Sequence, residues 1–325
     1  MRSHAVRRLA ALLTAAVAAA TLAGCTAGGV GGCGEISSGS ASELVTSTAK
    51  AGTDPKAEFP TPLISTGTQR STMTAGEGDP IRPGEQVDFA YAVYSGADGT
   101  DFGAFGYGDG APARASAGDD ENQIFRALAC TQVGGRYALT ASVTDAFGAS
   151  AATQLGLDAD ATIVVVLDVL DAFPGKSDGL NQLPLDGMPF VATAVDGTPG
   201  IMLPDAPKPT ETRVETVKLG GGAVVEKGDT VALQYSLFIW PDSGDPRVVQ
   251  STWDAHRAAD FTLEEGTVIP GFLTAVEGQK IGSQVLAVIP PADGYGDQGS
   301  QDGSIPGGAT LVYVIDLLAL RSSAN

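Results

Sequence analysis

The stretch "VIPGFLTAVEGQKIGSQVLAVIPPADGYG" (Val268–Gly296) decides the fold of the C-terminal part of this 325-residue chain. Its first half predicts a short helix, because Pro270 suits a first helical turn and Gly278 suits a helix end. Its second half contains "QVLAVIP", an apolar run of strand length that ends at two prolines. Similar strands are predicted before it in "DTVALQYSLFI" and after it in "ATLVYVIDLLAL". One short helix among several strands predicts an α+β domain.

The same plan occurs twice in the chain. When the chain is aligned with itself at a constant offset of 144 residues, Pro55 aligns with Pro199 and Tyr91 aligns with Tyr235. Further on the offset becomes 148, and "ATIVVVLDVL" matches "ATLVYVIDLL". A register of this length predicts a tandem duplication, in which each unit has a proline-rich arm followed by about 100 residues of domain. The predicted boundaries are 55–173 for the first domain, 174–198 for a linker and 199–325 for the second domain.

The N-terminal sequence predicts a secretory signal peptide over residues 1–24. Arg2, Arg7 and Arg8 precede a short apolar run, and the run ends in "LAGC", which resembles the bacterial lipobox. By that resemblance Cys25 is the lipidated first residue after cleavage, and the alternative is an ordinary signal peptide cut at a small residue. The Gly/Ser/Thr-rich composition of residues 25–54 predicts a flexible tether.

The charge balance narrows the classes of partner. The chain has 19 basic and 38 acidic side chains, and removal of the signal leaves 16 basic side chains against the same 38. Such a surface repels phosphate backbones and anionic lipid headgroups. We therefore expect no nucleic-acid binding, and membrane contact only through a lipid anchor.

Histidine and cysteine are too scarce for several kinds of active site. His256 is the only histidine after the signal, and it lies in the polar run "DAHRAAD", which is typical of a solvated surface. The sequence therefore lacks the residues for a Cys/His zinc cluster, and a Ser-His-Asp triad could be built only on His256. We predict neither metal nor cofactor. Cys33 and Cys130 either pair as a disulfide or stay as separate thiols.

Three glycines spell the G-x-G-x-x-G of dinucleotide-binding turns, namely Gly294, Gly296 and Gly299. That turn requires a helix at its end, whereas a polar loop and another strand follow here. Asp297 and Asp302 also place negative charge beside any pyrophosphate. A calcium loop is the other alternative, but EF-hand spacing is absent from the sequence.

Several motifs in order resemble one known family. The run of "VIPGF", "AVEGQKIG", a strand that ends in "IP", "YG", "SIPGG" and "ATLVYV" looks like the C-terminal two-thirds of an FKBP-type peptidyl-prolyl cis/trans isomerase. The resemblance is strong over about 220–320 and weak over 76–173. It implies two tandem FKBP-like domains, each a curved antiparallel sheet wrapped around one short helix. The whole arrangement is similar to that of secreted, lipid-anchored members from actinobacteria.

The resemblance also implies a pocket in the second domain that accepts proline. It gives catalytic roles to Phe272 as the floor, to the Ile269 N–H and the Tyr295 hydroxyl as donors to substrate carbonyls, and to two further side chains, Tyr235 and Gln250. Substrate-binding positions by the same resemblance are Val249, Phe261, Val268, Ile305 and Tyr313.

Two departures from the family pattern weaken the predicted activity. Val249 stands where the family has Phe, and the neutral Gln250 stands where it has Asp. The first domain departs further, because Ala127 stands opposite Phe272, Phe147 opposite Tyr295 and Val165 opposite Tyr313. That domain is therefore interpreted as a non-catalytic relative.

The sequence accordingly predicts a peptidyl-prolyl isomerase, lipid-anchored on the outer face of the cell membrane, that assists the folding of secreted or cell-envelope proteins. Its partners are proline-containing segments of those proteins and, by the resemblance, macrolide inhibitors. The alternatives are a catalytically weak or inactive proline-binding or chaperone module and, third, a structural envelope protein.

Overall fold

A computed structural model describes residues 36–321 and contains two antiparallel sheets of closely similar plan. The strands and helices of the first unit are β1 (Gln69–Thr74), β2 (Gln86–Ser95), β3 (Asp101–Phe105), β4 (Ala113–Ser116), α1 (Gln123–Leu128), β5 (Arg136–Ser142), α2 (Val143–Phe147), α3 (Ala149–Leu155) and β6 (Thr162–Phe173). A connecting segment follows, with β7 (Leu180–Asn181), β8 (Phe190–Thr193) and β9 (Pro199–Met202). The second unit has β10 (Arg213–Leu219), β11 (Thr230–Trp240), β12 (Arg247–Ser251), β13 (Ala259–Thr262), α4 (Pro270–Val276), β14 (Gln284–Ile289) and β15 (Thr310–Arg321).

The two sheets share one strand order over six strands. The first runs β1-β5-β6-β2-β3 with β4 on β2, and the second runs β10-β14-β15-β11-β12 with β13 on β11, with β7 as a seventh strand beside β10. The pairing registers follow the sequence repeat: Tyr91 lies opposite Leu167, and Tyr235 lies opposite Ile315. The bulges also coincide, since both sheets shift register at the end of their first strand. The α+β prediction is confirmed.

Each sheet is buried on both faces. The inner faces pack against the helices around two separate cores. The outer face of the first sheet is covered by the segment before β1, where Ala41, Val45 and Leu63 are buried against Tyr94 and Val166. The outer face of the second sheet is covered by the β8–β9 hairpin and the segments beside it, which pack on a cluster formed by Phe238, Trp240, Leu286, Val288, Val312 and Val314. A strand whose two faces are both covered is mostly apolar along its length, as β6 and β15 are.

The segments that cover the outer faces extend across two of the predicted boundaries. The flexible tether predicted for 25–54 is a packed part of the first unit from residue 36 onward, because Ala41 and Val45 supply apolar contacts within the Gly/Ser/Thr-rich composition. The predicted linker, 174–198, and the predicted start of the second domain at residue 199 divide the β8–β9 hairpin, whose strands pair across that boundary.

A buried aspartate on the last strand of each sheet binds the segment that precedes the sheet. Asp168 accepts a hydrogen bond from the Gly52 N–H at 2.9 Å and pairs with Arg136, both side chains being almost wholly buried. Asp316 accepts from the Ser177 N–H at 2.8 Å and from Gln284 Nε2 at 2.7 Å. Burial raises the pKa of Asp316.

The two units contact each other through equivalent edges. The guanidinium groups of Arg114 and Arg321 each lie 5.0 Å from the ring centre of Phe173, at the end of β6. Arg114 also binds Asp88 on its own sheet and Asp260 on the other. Burial of Phe173 with apolar side chains of the second unit completes the contact.

Other sequence-based expectations lie partly outside residues 36–321. Cys130 is disulfide-bonded, and its predicted partner Cys33 lies outside the described residues, as do the predicted signal peptide and Cys25. Within 36–321, no helix is long and apolar enough to span a membrane, and no three His, Cys, Asp or Glu side chains are grouped to hold a metal ion. The first unit has three short helices where one was predicted.

Candidate active site

A cavity of about 880 Å³ lies between α4 and the inner face of the second sheet. The strands β11, β13 and β15 each present an aromatic side chain to it, and α4 with the loop before it forms the opposite wall. The predicted residues that the structure brings together here are Tyr235, Gln250, Phe261, Val268, Ile269, Phe272, Tyr295 and Tyr313.

Four aromatic rings form the closed end of the cavity. Phe272 on α4 lies 5.3 Å from Phe261 and 5.4 Å from Tyr313, measured between ring centres. Tyr235 completes the set, at 5.7 Å from Phe261 and 5.9 Å from Tyr313. Phe272 is 3% exposed and lies at the closed end of the cavity, which is the place that the resemblance implies for it. Edge-to-face and tilted contacts of this kind hold aromatic rings in fixed orientations.

The helix α4 places a backbone donor at the cavity wall. Ile269 is the N-cap residue, and its carbonyl accepts from the Phe272 and Leu273 N–H groups. None of the hydrogen bonds among residues 36–321 has the Ile269 N–H as its donor. Gly271 allows the helix to lie close to β14, because a Cβ there would come 2.3 Å from Ile289 Cγ2. The N–H groups at a helix start are available to bind an acceptor.

Tyr295 lies at the rim, in the glycine-rich loop between β14 and β15, and its side chain is partly exposed. The loop closes on itself through the Gly299 N–H to the Tyr295 carbonyl and the Ser300 N–H to the Ile305 carbonyl. A Cβ on Gly299 would lie 2.2 Å from the Ile305 carbonyl oxygen, so this glycine permits a close backbone approach. A strand follows the loop, as the sequence predicted, and the arrangement differs from a dinucleotide-binding turn.

The cavity disfavours ionised groups. Burial raises the pKa of Tyr235 to about 12, with a smaller contribution from the nearby Tyr295 hydroxyl. Burial also raises the pKa of Tyr313, and its tyrosine neighbours act in the same direction. Charge is confined to the rim, where Glu265 pairs with Lys227 at 2.5 Å. The site therefore provides an apolar enclosure with neutral hydrogen-bonding groups.

Two predicted residues lie outside the cavity lining. Val249 packs partly buried against the second core, and Ile305 is buried in that core. Gln250 lines the cavity and is exposed, directly opposite Leu237 on β11. Six further lining residues were not predicted, of which Pro270 lies within the "VIPGF" motif and the others lie beside it: Glu265, Gly266, Thr267, Pro270, Leu273 and Thr274.

The first unit has a smaller cavity at the equivalent place, of about 320 Å³. Tyr91 stacks on Phe105 there, with ring centres 5.1 Å apart, and Phe147 lies 6.4 Å from Tyr91. Val93, Phe102 and four residues of α3 complete the lining. Ala127 and Val165, the predicted counterparts of Phe272 and Tyr313, are buried in the first core. Sequence reasoning missed Phe102 and Phe105, which the spacing in "DFGAF" alone does not mark.

Comparison with known proteins agrees with this geometry. Residues 221–318 match the family described as FKBP-type peptidyl-prolyl cis-trans isomerase. The chain is 30% identical over 122 residues to an FK506-binding protein of Streptomyces anulatus, which is 38% of this chain and 96% of that protein. It is 31% identical over 121 residues to a probable FK506-binding protein of Corynebacterium glutamicum, covering 37% and 97% of the two chains. A third relative, FK506-binding protein 2B of Rhizopus delemar, is 37% identical over 94 residues, which is 29% of this chain and 43% of that one.

The chain belongs to the FKBP-type peptidyl-prolyl cis-trans isomerase family. The predicted enzyme class is thereby confirmed, and the matched residues contain α4, the four aromatic rings and Tyr295.

Proposed function

We propose that the second domain isomerises X–Pro bonds in the cavity between α4 and the sheet. The observation that carries this proposal is the four-ring enclosure of Tyr235, Phe261, Phe272 and Tyr313, with the Ile269 N–H on its wall and the Tyr295 hydroxyl at its rim. The proline ring enters the aromatic end, and the two donors hold the carbonyls on either side of the bond.

The enclosure accounts for catalysis in physical terms. Rotation about an amide bond has a barrier of ~18–20 kcal/mol, which largely reflects lost resonance. The twisted amide has less charge separation than the planar one, so transfer from water to an apolar site favours the transition state over the ground state. Each donor fixes one carbonyl while the other end of the segment turns. The reaction needs neither a nucleophile nor a titrating base.

The proposed setting is extracytoplasmic. By the lipobox resemblance, Cys25 carries the lipid that attaches the protein to the outer face of the membrane, and the substrates are proline-containing segments of secreted or envelope proteins. Macrolides such as FK506, which the names of the relatives mention, are proposed ligands of the same cavity. Radiolabelled palmitate should label the wild-type protein and not a Cys25→Ala variant; equal labelling of both would remove the anchor from the proposal.

A protease-coupled isomerisation assay on a short Leu-Pro peptide tests the catalytic proposal. We expect first-order acceleration that increases with protein concentration and is lost in Phe272→Ala, with circular dichroism to verify that the variant is folded. A folded wild-type protein without acceleration would contradict it.

The second candidate is a proline-binding chaperone module with little turnover. Two observations favour it: Gln250 supplies a neutral amide where the resemblance has a carboxylate, and Val249 does not reach the cavity. This candidate predicts that the protein binds the Leu-Pro peptide, and suppresses aggregation of an unfolded protein, without accelerating isomerisation.

A further inference from the structure

A third cavity, of about 990 Å³, lies in the cleft between the two domains. Its lining includes Tyr235 and Gln250, which also line the isomerase cavity, and Tyr91 and Phe147, which also line the aromatic cavity of the first domain. The cleft therefore borders both the candidate active site and the aromatic cavity of the first domain, and shares wall residues with each.

The cleft is symmetric in its construction. Tyr91 and Tyr235 are equivalent in the repeat and lie at its two ends. In its floor, Arg114 on β4 binds Asp260 on β13, and these two positions are also equivalent, since their cross-strand partners Asp88 and Ala232 differ by 144 residues. Contact between equivalent positions is typical of packing about a twofold axis. The mouths of the two aromatic cavities are thus related by a local twofold and open onto the same cleft.

The lining of the cleft is of two chemical kinds. The residues that it shares with the two cavities are aromatic apart from Gln250, whereas other residues of its lining are neutral and polar: Asn122, Thr230, Ser251 and Thr252. The guanidinium groups of Arg114 and Arg321 in the floor bind Asp88, Asp171 and Asp260, so their charge is neutralised. Arg257 also lines the cleft, and no ion pair among residues 36–321 includes it. The side-chain amides and hydroxyls can bind the backbone of an extended chain, and the guanidinium of Arg257 can donate to its carbonyls.

We propose that the cleft binds an extended segment of an unfolded polypeptide, with a proline in the second-domain cavity and an aromatic side chain of the same segment in the first-domain cavity. The proposal rests on the proposed function for the proline end and adds the second contact. Its occupant follows from the wall residues that the cleft shares with the candidate active site and from the aromatic side chains that it shares with both cavities.

The proposal gives the first domain a function that does not require catalysis. Phe147 replaces the rim hydroxyl of the second domain, and Phe102 and Phe105 add apolar area, so this cavity is adapted to hold a side chain. A segment held there keeps its proline near the second cavity at a high effective concentration, which raises affinity without a new contact at the active site.

The test uses labelled Gly/Ser peptides that contain one Leu-Pro and one Phe, separated by two to ten residues, with Kd for the full-length protein measured by fluorescence anisotropy. We expect the best spacing to bind at least about 10-fold more tightly than the same peptide with Phe replaced by Gly. Ser150→Trp fills the first-domain cavity from its exposed rim and should abolish that difference. Thr153→Trp on the same helix is also exposed, lies outside the lining and should preserve it.

Three results would overturn the proposal: affinity independent of the Phe, equal effects of Ser150→Trp and Thr153→Trp, or an effect of Ser150→Trp on the short Leu-Pro peptide as large as that on the long one. A concentration-dependent dimer that Ser150→Trp abolishes would also overturn it, because a second copy of the chain would then occupy the cleft. Isomerisation of the short peptide is measured separately, so loss of the catalytic proposal and loss of the cleft proposal give different results.

Discussion

Arg114 and Asp260 hold equivalent positions in the two sheets, carry opposite charges and bind each other through two hydrogen bonds. Arg114 Nη1 lies 2.5 Å from Asp260 Oδ1, and Nη2 lies 3.1 Å from Oδ2. A strictly repeated sequence would place like charges together here. The difference in sequence at one repeated position therefore converts a repulsive contact into a bidentate ion pair.

The first prediction concerns the strength of this pair. A double-mutant cycle of Arg114→Ala and Asp260→Ala, measured by urea unfolding, should give a coupling free energy of about 1–2 kcal/mol. The exposed Lys208–Asp242 pair is the matched control and should give a coupling near zero, because Asp242 is almost fully exposed. Additive effects of the two interdomain substitutions would contradict the prediction.

The second prediction concerns the rim hydroxyl. Tyr295→Phe should lower kcat/KM for a short Leu-Pro peptide about 3- to 10-fold, which corresponds to the loss of one hydrogen bond. The thermal midpoint should not change, because the side chain is partly exposed at the loop surface. An unchanged kcat/KM would mean that the hydroxyl does not contact the substrate.

The third prediction concerns Gln250. A carboxylate at this exposed position faces the twisting amide without any burial penalty, so Gln250→Asp should raise kcat/KM a few-fold at pH 7. Gln250→Asn is the control of matched shape and should not raise it. The gain of the Asp variant should disappear below about pH 4, where the carboxyl is protonated. A gain that persists at low pH would contradict an electrostatic cause.

The fourth prediction concerns the pH dependence of stability. Burial raises the pKa of Asp316 above its ordinary value of 3.8 in the folded protein. Between 3.8 and that raised pKa the folded state binds more protons than the unfolded state, so the contribution of Asp316 to stability falls as pH rises through this interval. Asp316→Asn should remove this component.

The Asn variant can still make two hydrogen bonds at this place. Its amide oxygen accepts from the Ser177 N–H, and its NH₂ donates to Gln284 Oε1 once the Gln284 amide has turned over from the orientation in which Nε2 donates to Asp316. The difference in unfolding free energy between the variant and wild type should therefore increase in favour of the variant as pH rises from about 4. A difference that does not vary with pH would exclude Asp316 as the cause.

The fifth prediction concerns the approach of α4 to β14. Gly271→Ala forces a Cβ against the buried side chain of Ile289 and should lower the free energy of unfolding by about 1–3 kcal/mol. Gly221→Ala is the matched control, because nothing lies within 4 Å of its added Cβ and its φ is not in the left-handed region. Equal stability of the two variants would show that the helix can move away.

The strands and helix of the second domain follow from local signals. Pro270 is typical of the first turn of a helix, and β-branched runs such as those of β14 and β15 are typical of strands. Both patterns can be recognised from a few consecutive residues. The helix ends at Val276, two residues before the glycine that was expected to close it. The resemblance supplied the aromatic lining, because several of its motifs agree in order.

The rest depends on contacts that are distant in sequence. Nothing near Ala41 or Val45 indicates that a Gly/Ser-rich segment covers a sheet, since the surface it covers is formed about 50 to 120 residues later. From the sequence, the charge of Arg136 predicts an exposed side chain. In the structure the guanidinium is buried, because it donates hydrogen bonds to Asp168 and to three carbonyls of the segment before β1. The cleft likewise requires both domains to be in place.

The hairpin that covers the second sheet determines where the chain can be divided. A fragment that begins at Pro199 loses β8, leaves β9 without its partner and removes the Met188 contact with Phe238 and Trp240. It also loses the Ser177 N–H that binds Asp316. Limited proteolysis should accordingly release an autonomous C-terminal unit that starts near Lys176, and recombinant expression of the isomerase domain alone will depend on retaining those 23 residues before Pro199.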